Sequence, residues 1–270
     1  MRTTESGRDA AGGSLIARSD RELRRWEQIA WPAFAGAIVL LLWAVAVRWS
    51  GTRIFPSPLD VMRGLAQLVE KRLLWAYIGD SLRRVFAGYT LAVLLGIPLG
   101  LLLGWSGSAA RAVNPLIELL RPISPIAWMP LAVIWFGIGD VSPMFLIFLA
   151  SFFPIVTATA SGVRDVPPMY LQAGRNFGFS TARLMLSVVI PAVLPRIVIG
   201  LRIAFGVAWL VLVAAEMIAV DSGLGYLIID ARNAGKRYDL VVGGMLVIGL
   251  IGLILDTIMR RAEAWAVERR

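Results

Sequence analysis

Residues 172–191 read Q-A-G-R-N-F-G-F-S-T-A-R-L-M-L-S-V-V-I-P, a polar and basic stretch that lies between long apolar runs. The stretch has small residues at Ala173 and Gly174, a second glycine at Gly178, and an apolar run that ends at Pro191. A structured polar insert of this kind in a membrane protein usually binds something in water. The pattern therefore predicts a docking element that projects from a membrane-embedded chain.

The rest of the sequence is apolar enough to lie in a bilayer. The 270 residues are 58% hydrophobic, and the mean hydropathy of +0.73 exceeds that of soluble domains. Several apolar runs approach the ~20 residues that a helix needs to cross a hydrocarbon core of ~30 Å. Because whole windows lack a polar face, the composition predicts an all-α membrane protein.

The residue types that are missing from the sequence exclude most kinds of catalysis and metal binding within the chain. The sequence has no cysteine and no histidine, which excludes disulfides, Cys/His zinc sites, Ser-His-Asp triads and cysteine nucleophiles. No Asp/Glu cluster has the spacing of a metal site, and no G-x4-G-K-[ST] loop is present to bind ATP. We therefore expect no catalytic residue, metal ligand or cofactor in this chain.

The net charge of +9 fits arginines at the ends of membrane spans better than a nucleic-acid surface. We expect this protein to contact the lipid bilayer and to bind no nucleic acid.

The apolar runs predict about six spans. They cover residues 29–47, 85–104, 115–138, 143–160, 197–220 and 240–259. The predicted membrane domain is 29–260, flanked by an N-terminal tail at 1–28 and a basic tail at 261–270. Residues 60–74 predict an amphipathic helix outside the membrane core, residues 164–191 the polar insert, and residues 221–226 a turn.

Prolines interrupt the third predicted span, at Pro122, Pro125 and Pro130. Each proline removes a backbone donor, and broken backbone in lipid must face protein or a cavity. In the second span, Gly96, Gly100 and Gly104 form a smooth stripe. Such a stripe permits close helix packing, either within the chain or against another subunit.

Six spans place both termini on one side of the membrane. Basic residues in the tails and the insert favour the cytoplasm for that side, although the segment after the first span is basic as well. A cytoplasmic N-terminus also places the insert between the fourth and fifth spans in the cytoplasm.

The insert resembles the cytoplasmic signature of ABC-transporter permeases, E-A-A-x3-G-x9-I-x-L-P, with the same spacing. Further motifs are similar to the binding-protein-dependent permeases for nitrate, sulfonates, taurine and bicarbonate. These motifs are FPSP at 55–58, GIPLG at 96–100, RPISPIAWMP at 121–130, WFGIG at 135–139, GLR at 200–202, AEMI at 215–218 and GLG at 223–225. The resemblance covers most of the chain.

This resemblance implies a type I ABC importer permease fold in the plasma (inner) membrane of a bacterium. Two permease subunits, expected to be two copies of this chain, would form the pathway for a small anion such as an aliphatic sulfonate, taurine, nitrate or bicarbonate. Two ATP-binding subunits would bind ATP and Mg²⁺, and an extracytoplasmic binding protein would deliver the solute.

The resemblance also assigns a coupling helix to about residues 169–181. The candidate ATPase-coupling residues are Gln172, Ala173, Gly174, Arg175, Phe177, Gly178 and Pro191. Because Gln172 replaces the usual Glu and Gly174 the usual Ala, we expect a hydrogen bond from Gln172 in place of a salt bridge.

The candidate residues of the translocation pathway are Trp128, Pro130, Trp135, Arg202 and Glu216. Ionisable groups inside a membrane commonly face a cavity or a partner. Arg202 is expected to meet an anion, the broken third span or the inner interface. Glu216 is expected to contact either the substrate or the turn at residues 223–225.

Two other classes of protein stay open from the residues alone. An ion-coupled secondary transporter would need no ATPase, but we find no convincing internal repeat of the kind typical of that class. An intramembrane enzyme would have to use serine or aspartate, since histidine and cysteine are absent.

Overall fold

The computed structural model describes Trp31, residues 34–49 and residues 56–268, and nearly all of these residues are helical. The N-terminal tail predicted at 1–28, the beginning of the first predicted span, position 55 of the FPSP motif and residues 269–270 lie outside the described residues. The chain divides into two compact units, Met1–Met62 and Arg63–Arg270. In the first unit, the Asp60 carboxylate accepts hydrogen bonds from the Ser57 N–H and hydroxyl, where helix Pro58–Glu70 begins.

The described residues form eleven α-helices in chain order. They are α1 (Phe34–Trp49), α2 (Pro58–Glu70), α3 (Leu73–Trp105), α4 (Gly107–Leu120), α5 (Met129–Phe136), α6 (Val141–Arg164), α7 (Pro168–Asn176), α8 (Thr181–Leu184), α9 (Ile190–Ala219), α10 (Leu224–Gly235) and α11 (Tyr238–Glu268). A 3-10 turn at Pro125–Trp128 precedes α5, and a π-helical turn at Met185–Val189 joins α8 to α9.

Four helices in the described part of the chain are long and apolar enough to cross a membrane: α3, α6, α11 and the continuous helix Thr181–Ala219. The helices Gly107–Leu120 and Pro125–Phe136 form an apolar pair bent by 85°, which is the geometry of a broken span or a re-entrant loop. The shorter apolar helix α1 accounts for the described part of the first predicted span. About six predicted spans thus correspond to four uninterrupted helices, one bent pair and one shorter helix.

Several helices extend beyond the predicted spans. The helix that contains the second predicted span begins at Leu73, and buried Arg84, before that span, is paired inside the bundle. The helix that contains the fifth predicted span begins at Thr181, and the predicted turn at 221–226 ends where α10 begins at Leu224. The tail predicted from residue 261 continues α11 as far as Glu268.

The glycine stripe of α3 packs against α6 of the same chain. A Cβ atom added at Gly100 would lie 2.5 Å from Thr159 Cβ, and one added at Gly104 would lie 2.4 Å from Val163 Cβ. No real side chain tolerates such distances, so the two backbones approach each other only because the side chains are absent. The stripe therefore serves packing within the chain, and the alternative of a contact with another subunit was wrong.

Helix α6 also packs closely against α9, so that α3, α6 and α9 form the core of the bundle. At the centre of the α6–α9 contact, a Cβ added at Gly200 would lie 2.5 Å from Ala158 Cβ. Helices α10 and α11 pack against α9. The polar insert, α7 and α8, follows directly from the end of α6 and leads directly into α9.

Candidate functional site

The polar insert folds into two short helices joined by a tight turn. Helix α7 ends in a pair of backbone hydrogen bonds, from Phe179 N–H to Gly174 O (3.0 Å) and from Gly178 N–H to Arg175 O (2.9 Å). This pair is the Schellman motif, which requires a left-handed residue just after the helix. Gly178 has a φ of +73°, so the signature glycine supplies the conformation that closes α7.

The other signature glycine is needed for packing. A Cβ added at Gly174 would lie 2.4 Å from Leu184 Cδ2, so α7 and α8 meet at this buried position. Ser180 begins α8, where its hydroxyl accepts a hydrogen bond from Arg183 N–H at 3.4 Å. The predicted coupling helix at about 169–181 is therefore two helices, because Gly178 ends the first and Ser180 caps the second.

An apolar cluster fixes the insert to the bundle. Half-buried Leu171 packs against a cluster of buried residues. The cluster contains Val163 and Val166 at the end of α6, Val189 in the π-helical turn and Val193 in α9. The insert is therefore attached to two membrane helices at once.

The opposite face of the insert is exposed and partly apolar. The side chains of Met169, Tyr170 and Phe177 are 66%, 51% and 80% exposed. Among the predicted coupling residues, Gln172, Ala173, Arg175, Phe177 and Gly178 are also exposed. The structure thus brings six of the seven predicted coupling residues together in one small element.

Pro191, the seventh predicted coupling residue, lies apart from this face, at the start of α9. Proline has no N–H to donate to the carbonyl four residues earlier, which leaves Ser187 O without its α-helical donor. The π-helical turn at Met185–Val189 ends just before this position, as expected where the α-helical ladder is interrupted. Pro191 therefore does not end the apolar run, and the helix continues to Ala219.

Glu216 lies in a buried polar network at the other end of α9. Its side chain is fully buried and accepts hydrogen bonds from the Ser81 hydroxyl (2.8 Å) and from Gly225 N–H (2.9 Å). The Ser81 oxygen in turn accepts a hydrogen bond from Leu224 N–H at 2.9 Å. Of the two contacts expected for Glu216, the structure shows the one with the turn at residues 223–225.

Arg84 is the centre of this network, although no pattern in the sequence had singled it out. The residue is 1% exposed, and its Nη1 donates to Glu216 Oε1 and to Ser222 O, each at 2.8 Å. Its Nε donates to Asp140 Oδ1 at 2.8 Å. The network joins α3, the start of α6, the end of α9 and the start of α10, so one arginine ties four elements together.

The network also requires a residue without a side chain at Gly223. A Cβ added there would lie 2.4 Å from Glu216 Oε1 and 2.6 Å from Arg84 Nη1, and the residue has a φ of +105°. Gly223 of the GLG motif is thus explained by the space that the ion pair occupies, and Gly225 by the backbone of α9, since a Cβ there would lie 2.4 Å from Val213 O.

Arg202 forms ion pairs with helix α11. Its Nε is 3.0 Å from Asp256 Oδ1, and its Nη1 is 2.8 Å from Glu263 Oε2. These ion pairs with α11 were not among the contacts expected for Arg202. The seven-residue spacing of Asp256 and Glu263, which places them on one helix face, was the available signal.

The three remaining pathway candidates lie on the bent segment after α4. Trp128 is half-buried against the cluster around Met129, whereas Pro130 and Trp135 are exposed. The Trp135 ring packs edge-on against Phe145, with centroids 6.0 Å apart. Trp128 and Trp135 both lie in the apolar helix Pro125–Phe136, after the bend, with Trp128 in its 3-10 turn and Trp135 in α5.

Over the ranges that the structure describes, no group of three or more Asp or Glu side chains is arranged to hold a metal ion. The buried Arg84 and Glu216 pair with each other, and four helices of the described residues are long and apolar enough to cross a membrane. This arrangement is that of an integral membrane protein.

Comparison with known proteins identifies the family. The profile of the "Binding-protein-dependent transport system inner membrane component" family matches residues 96–269. The chain is 37% identical to the taurine transport system permease protein TauC of Escherichia coli, over 85% of this chain and 88% of that protein. It is 33% identical to the nitrate import permease protein NrtB of Synechocystis, over 87% and 88% of the two chains.

A solved structure shows the same fold. A chain of the MetNI methionine ABC transporter in an inward-facing conformation matches with a TM-score of 0.64, 16% identity, and coverage of 72% of this chain and 96% of that one. The chain therefore belongs to the binding-protein-dependent permease family and is the permease subunit of an ABC importer. The predicted type I importer fold is confirmed, and the importer is favoured over a secondary transporter or an intramembrane enzyme.

Proposed function

We propose that this permease forms the pathway for a small anion and is driven by a separate ATPase that docks on residues 164–191. The candidate solutes are an aliphatic sulfonate, taurine, nitrate and bicarbonate, and the taurine and nitrate permeases among its relatives support this class. The proposed assembly has two copies of this chain, two ATP-binding subunits that hydrolyse ATP with Mg²⁺, and an extracytoplasmic binding protein. It lies in a bacterial inner membrane with both termini cytoplasmic.

The exposed apolar face of the insert carries this proposal. Met169, Tyr170 and Phe177 lie beside polar residues that belong in water, where an apolar patch normally marks a site of protein contact. Methionine and aromatic side chains are enriched at the centres of such contacts. Gln172 and Arg175, both exposed on α7, would supply hydrogen bonds at the edge.

The attachment of the insert supports a mechanical role. Because Gly174 and Gly178 make α7 and α8 one compact unit, and Leu171 fixes that unit to α6 and α9, a displacement of the insert would move both membrane helices together. ATP binding would close the ATPase pair and draw the two inserts with it, which would open the pathway outward, and hydrolysis would reset it. Trp128, Pro130 and Trp135 are proposed to line the pathway, while Arg202 and Glu216 hold the bundle through their ion pairs.

Phe177→Ala tests the docking surface. The side chain is 80% exposed, so the substitution should leave the fold intact while it removes a central contact. Loss of a contact that contributes about 2 kcal/mol lowers affinity about thirtyfold, and we expect the ATPase to be lost on purification and uptake to fall with it. Ile138→Ala is the matched control, since Ile138 is 79% exposed and precedes α6 at the end of that helix opposite to the insert.

Labelling of the same two positions tests the orientation of the chain in the membrane. The chain has no cysteine, so single cysteines at Phe177 and Ile138 report labelling by a membrane-impermeant maleimide without background. We expect Cys labelling at 177 only in inside-out vesicles and at 138 only in right-side-out vesicles. Retention of the ATPase by Phe177→Ala, or labelling of position 177 from outside, would contradict the proposal.

A further inference from the structure

A polar cavity lies between α4, α6 and α9, apart from all of the predicted pathway residues. Its volume is about 530 Å³, within the range of about 300–1,000 Å³ that is usual for sites of small molecules. The polar side chains of its lining are those of Asn114, Glu118, Arg121, Thr157, Ser161 and Arg164. The polar side chains come from α4, the residue after it, and α6.

The cavity is an open groove that runs along α6 from the end where the insert lies. Arg164 is the last residue of α6 and Pro154 is ten residues earlier, a distance of about 15 Å along the helix axis. Thr157 and Ser161 lie between them, on the same side of α6. The cavity therefore occupies part of the depth that a solute must cross.

Its charge is positive and unneutralised. Among the described residues, the guanidinium groups of Arg121 and Arg164 have no ion-pair or hydrogen-bond partner, and Glu118 is the one acidic side chain among the lining residues. The formal charge of the lining is thus 2 − 1 = +1. Both arginines sit at helix C-termini, but the partial charge there, about −0.5, does not cancel a full guanidinium charge.

A second cavity, of about 580 Å³, has the opposite balance of charge. It lies between α9 and α11 and contains Arg202, but Asp256 and Glu263 also line it and both pair with that arginine. The formal charge there is 1 − 2 = −1. An anion would be repelled from the α9–α11 cavity and attracted to the cavity that holds Arg121 and Arg164.

We infer that Arg121 and Arg164 form a binding site for a small oxyanion on the translocation pathway, with Asn114, Thr157 and Ser161 around it. Guanidinium groups bind carboxylate, sulfonate and nitrate oxygens through strong, directional hydrogen bonds. The site lies beside the insert, so the solute would meet it in the half of the pathway nearest the ATPase. This assignment deepens the proposed function and depends on it for the direction of transport, though not for the charge preference of the site.

The charge preference is tested without transport. Ser161→Cys gives the chain a single cysteine within the cavity, and its reaction rate is compared between methanethiosulfonate reagents carrying a sulfonate and a quaternary ammonium group. We expect the anionic reagent to react about tenfold faster than the cationic one, as steering by a local positive potential predicts. Arg121→Gln with Arg164→Gln should abolish the preference, and the two Lys variants should keep it.

The second experiment measures uptake by the complex reconstituted with the ATPase and the binding protein. For taurine and nitrate, the double Gln variant should raise KM or lower uptake by about tenfold or more, since hydrogen bonds between charged groups are lost, while the ATPase stays bound. Arg111→Gln is the matched control, because Arg111 lies on α4 outside the cavity.

Three results would overturn the inference: equal reaction rates of the two reagents with wild-type arginines, a preference that survives the double Gln variant, or an uptake defect seen only in vesicles with anionic lipid. The last would identify a lipid headgroup as the anion that the arginines hold. If wild-type vesicles show no ATP-driven uptake while the reagent preference is present, the proposed function fails and the oxyanion site stands.

Discussion

Replacing Arg84 by methionine tests how the bundle is held at the end opposite to the insert. The substitution keeps the length of the side chain and removes the guanidinium from a position that is 1% exposed. Glu216, fully buried, would keep only the hydrogen bonds from the Ser81 hydroxyl and Gly225 N–H. Ser222 would lose the donors to both its carbonyl and its hydroxyl oxygen.

The expected loss of unfolding free energy follows from the uncompensated charge. Removing one partner of a buried ion pair costs about 3–5 kcal/mol, because the desolvation of the remaining charge is no longer offset. Asp140 contributes less to the loss, since it is partly exposed and also pairs with Arg83. Arg84→Met combined with Glu216→Leu removes both buried charges, so this double variant should recover most of the stability.

Equilibrium unfolding of the purified protein in mixed micelles measures these differences, with the ten tryptophans as the fluorescence signal. The wild type, the two single variants and the double variant complete a thermodynamic cycle. A loss below about 1 kcal/mol for Arg84→Met would refute the view that the arginine offsets a buried charge. A double variant as unstable as the sum of the single variants would refute the coupling between the two residues.

Two glycines give further predictions for the same unfolding assay. Gly104→Ala should destabilise the fold by about 1–3 kcal/mol, because the new methyl group would lie 2.4 Å from Val163 Cβ. Gly79→Ala on the same helix is the control and should cost nothing, because a Cβ there meets no atom within 4 Å. Equal effects of the two substitutions would contradict the packing described for α3 and α6. Gly178→Ala should cost about 1–2 kcal/mol, because its φ of +73° is unfavourable for a residue with a Cβ although the space around it is open. Gly178→Asn, which tolerates that conformation better, should recover part of the loss, and proteolysis of the insert would show where the damage lies.

The sequence was informative where a feature depends on residues close together in the chain. The spacing of Gly174, Gly178 and Pro191 located the insert, and the structure explains the two glycines by a close packing contact and a helix-ending turn. The stripe of Gly96, Gly100 and Gly104 predicted a close helix contact, but its partner α6 could not be chosen from the stripe itself.

Features that depend on distant residues were missed. Arg84 lies beside Arg83 and reads as an interfacial basic pair, since its partners Asp140 and Glu216 are 56 and 132 residues away. Arg202 likewise finds its carboxylates 54 and 61 residues further along, on α11. The glycines at 223 and 225 favoured a turn, so the prediction missed α10. They are glycines because of the buried ion pair and the start of that helix, and they do not form a free turn.

The unbroken helix Thr181–Ala219 has 39 residues and a length of about 58 Å. Near one end of this helix Val193 meets Gly162 of α6, and near the other end Glu216 is bound to Ser81 and Arg84 of α3. A displacement of the insert is therefore expected to carry α3, α6 and α9 as one rigid body. The far end of the bundle would then respond in the same concerted movement, without a flexible joint in between.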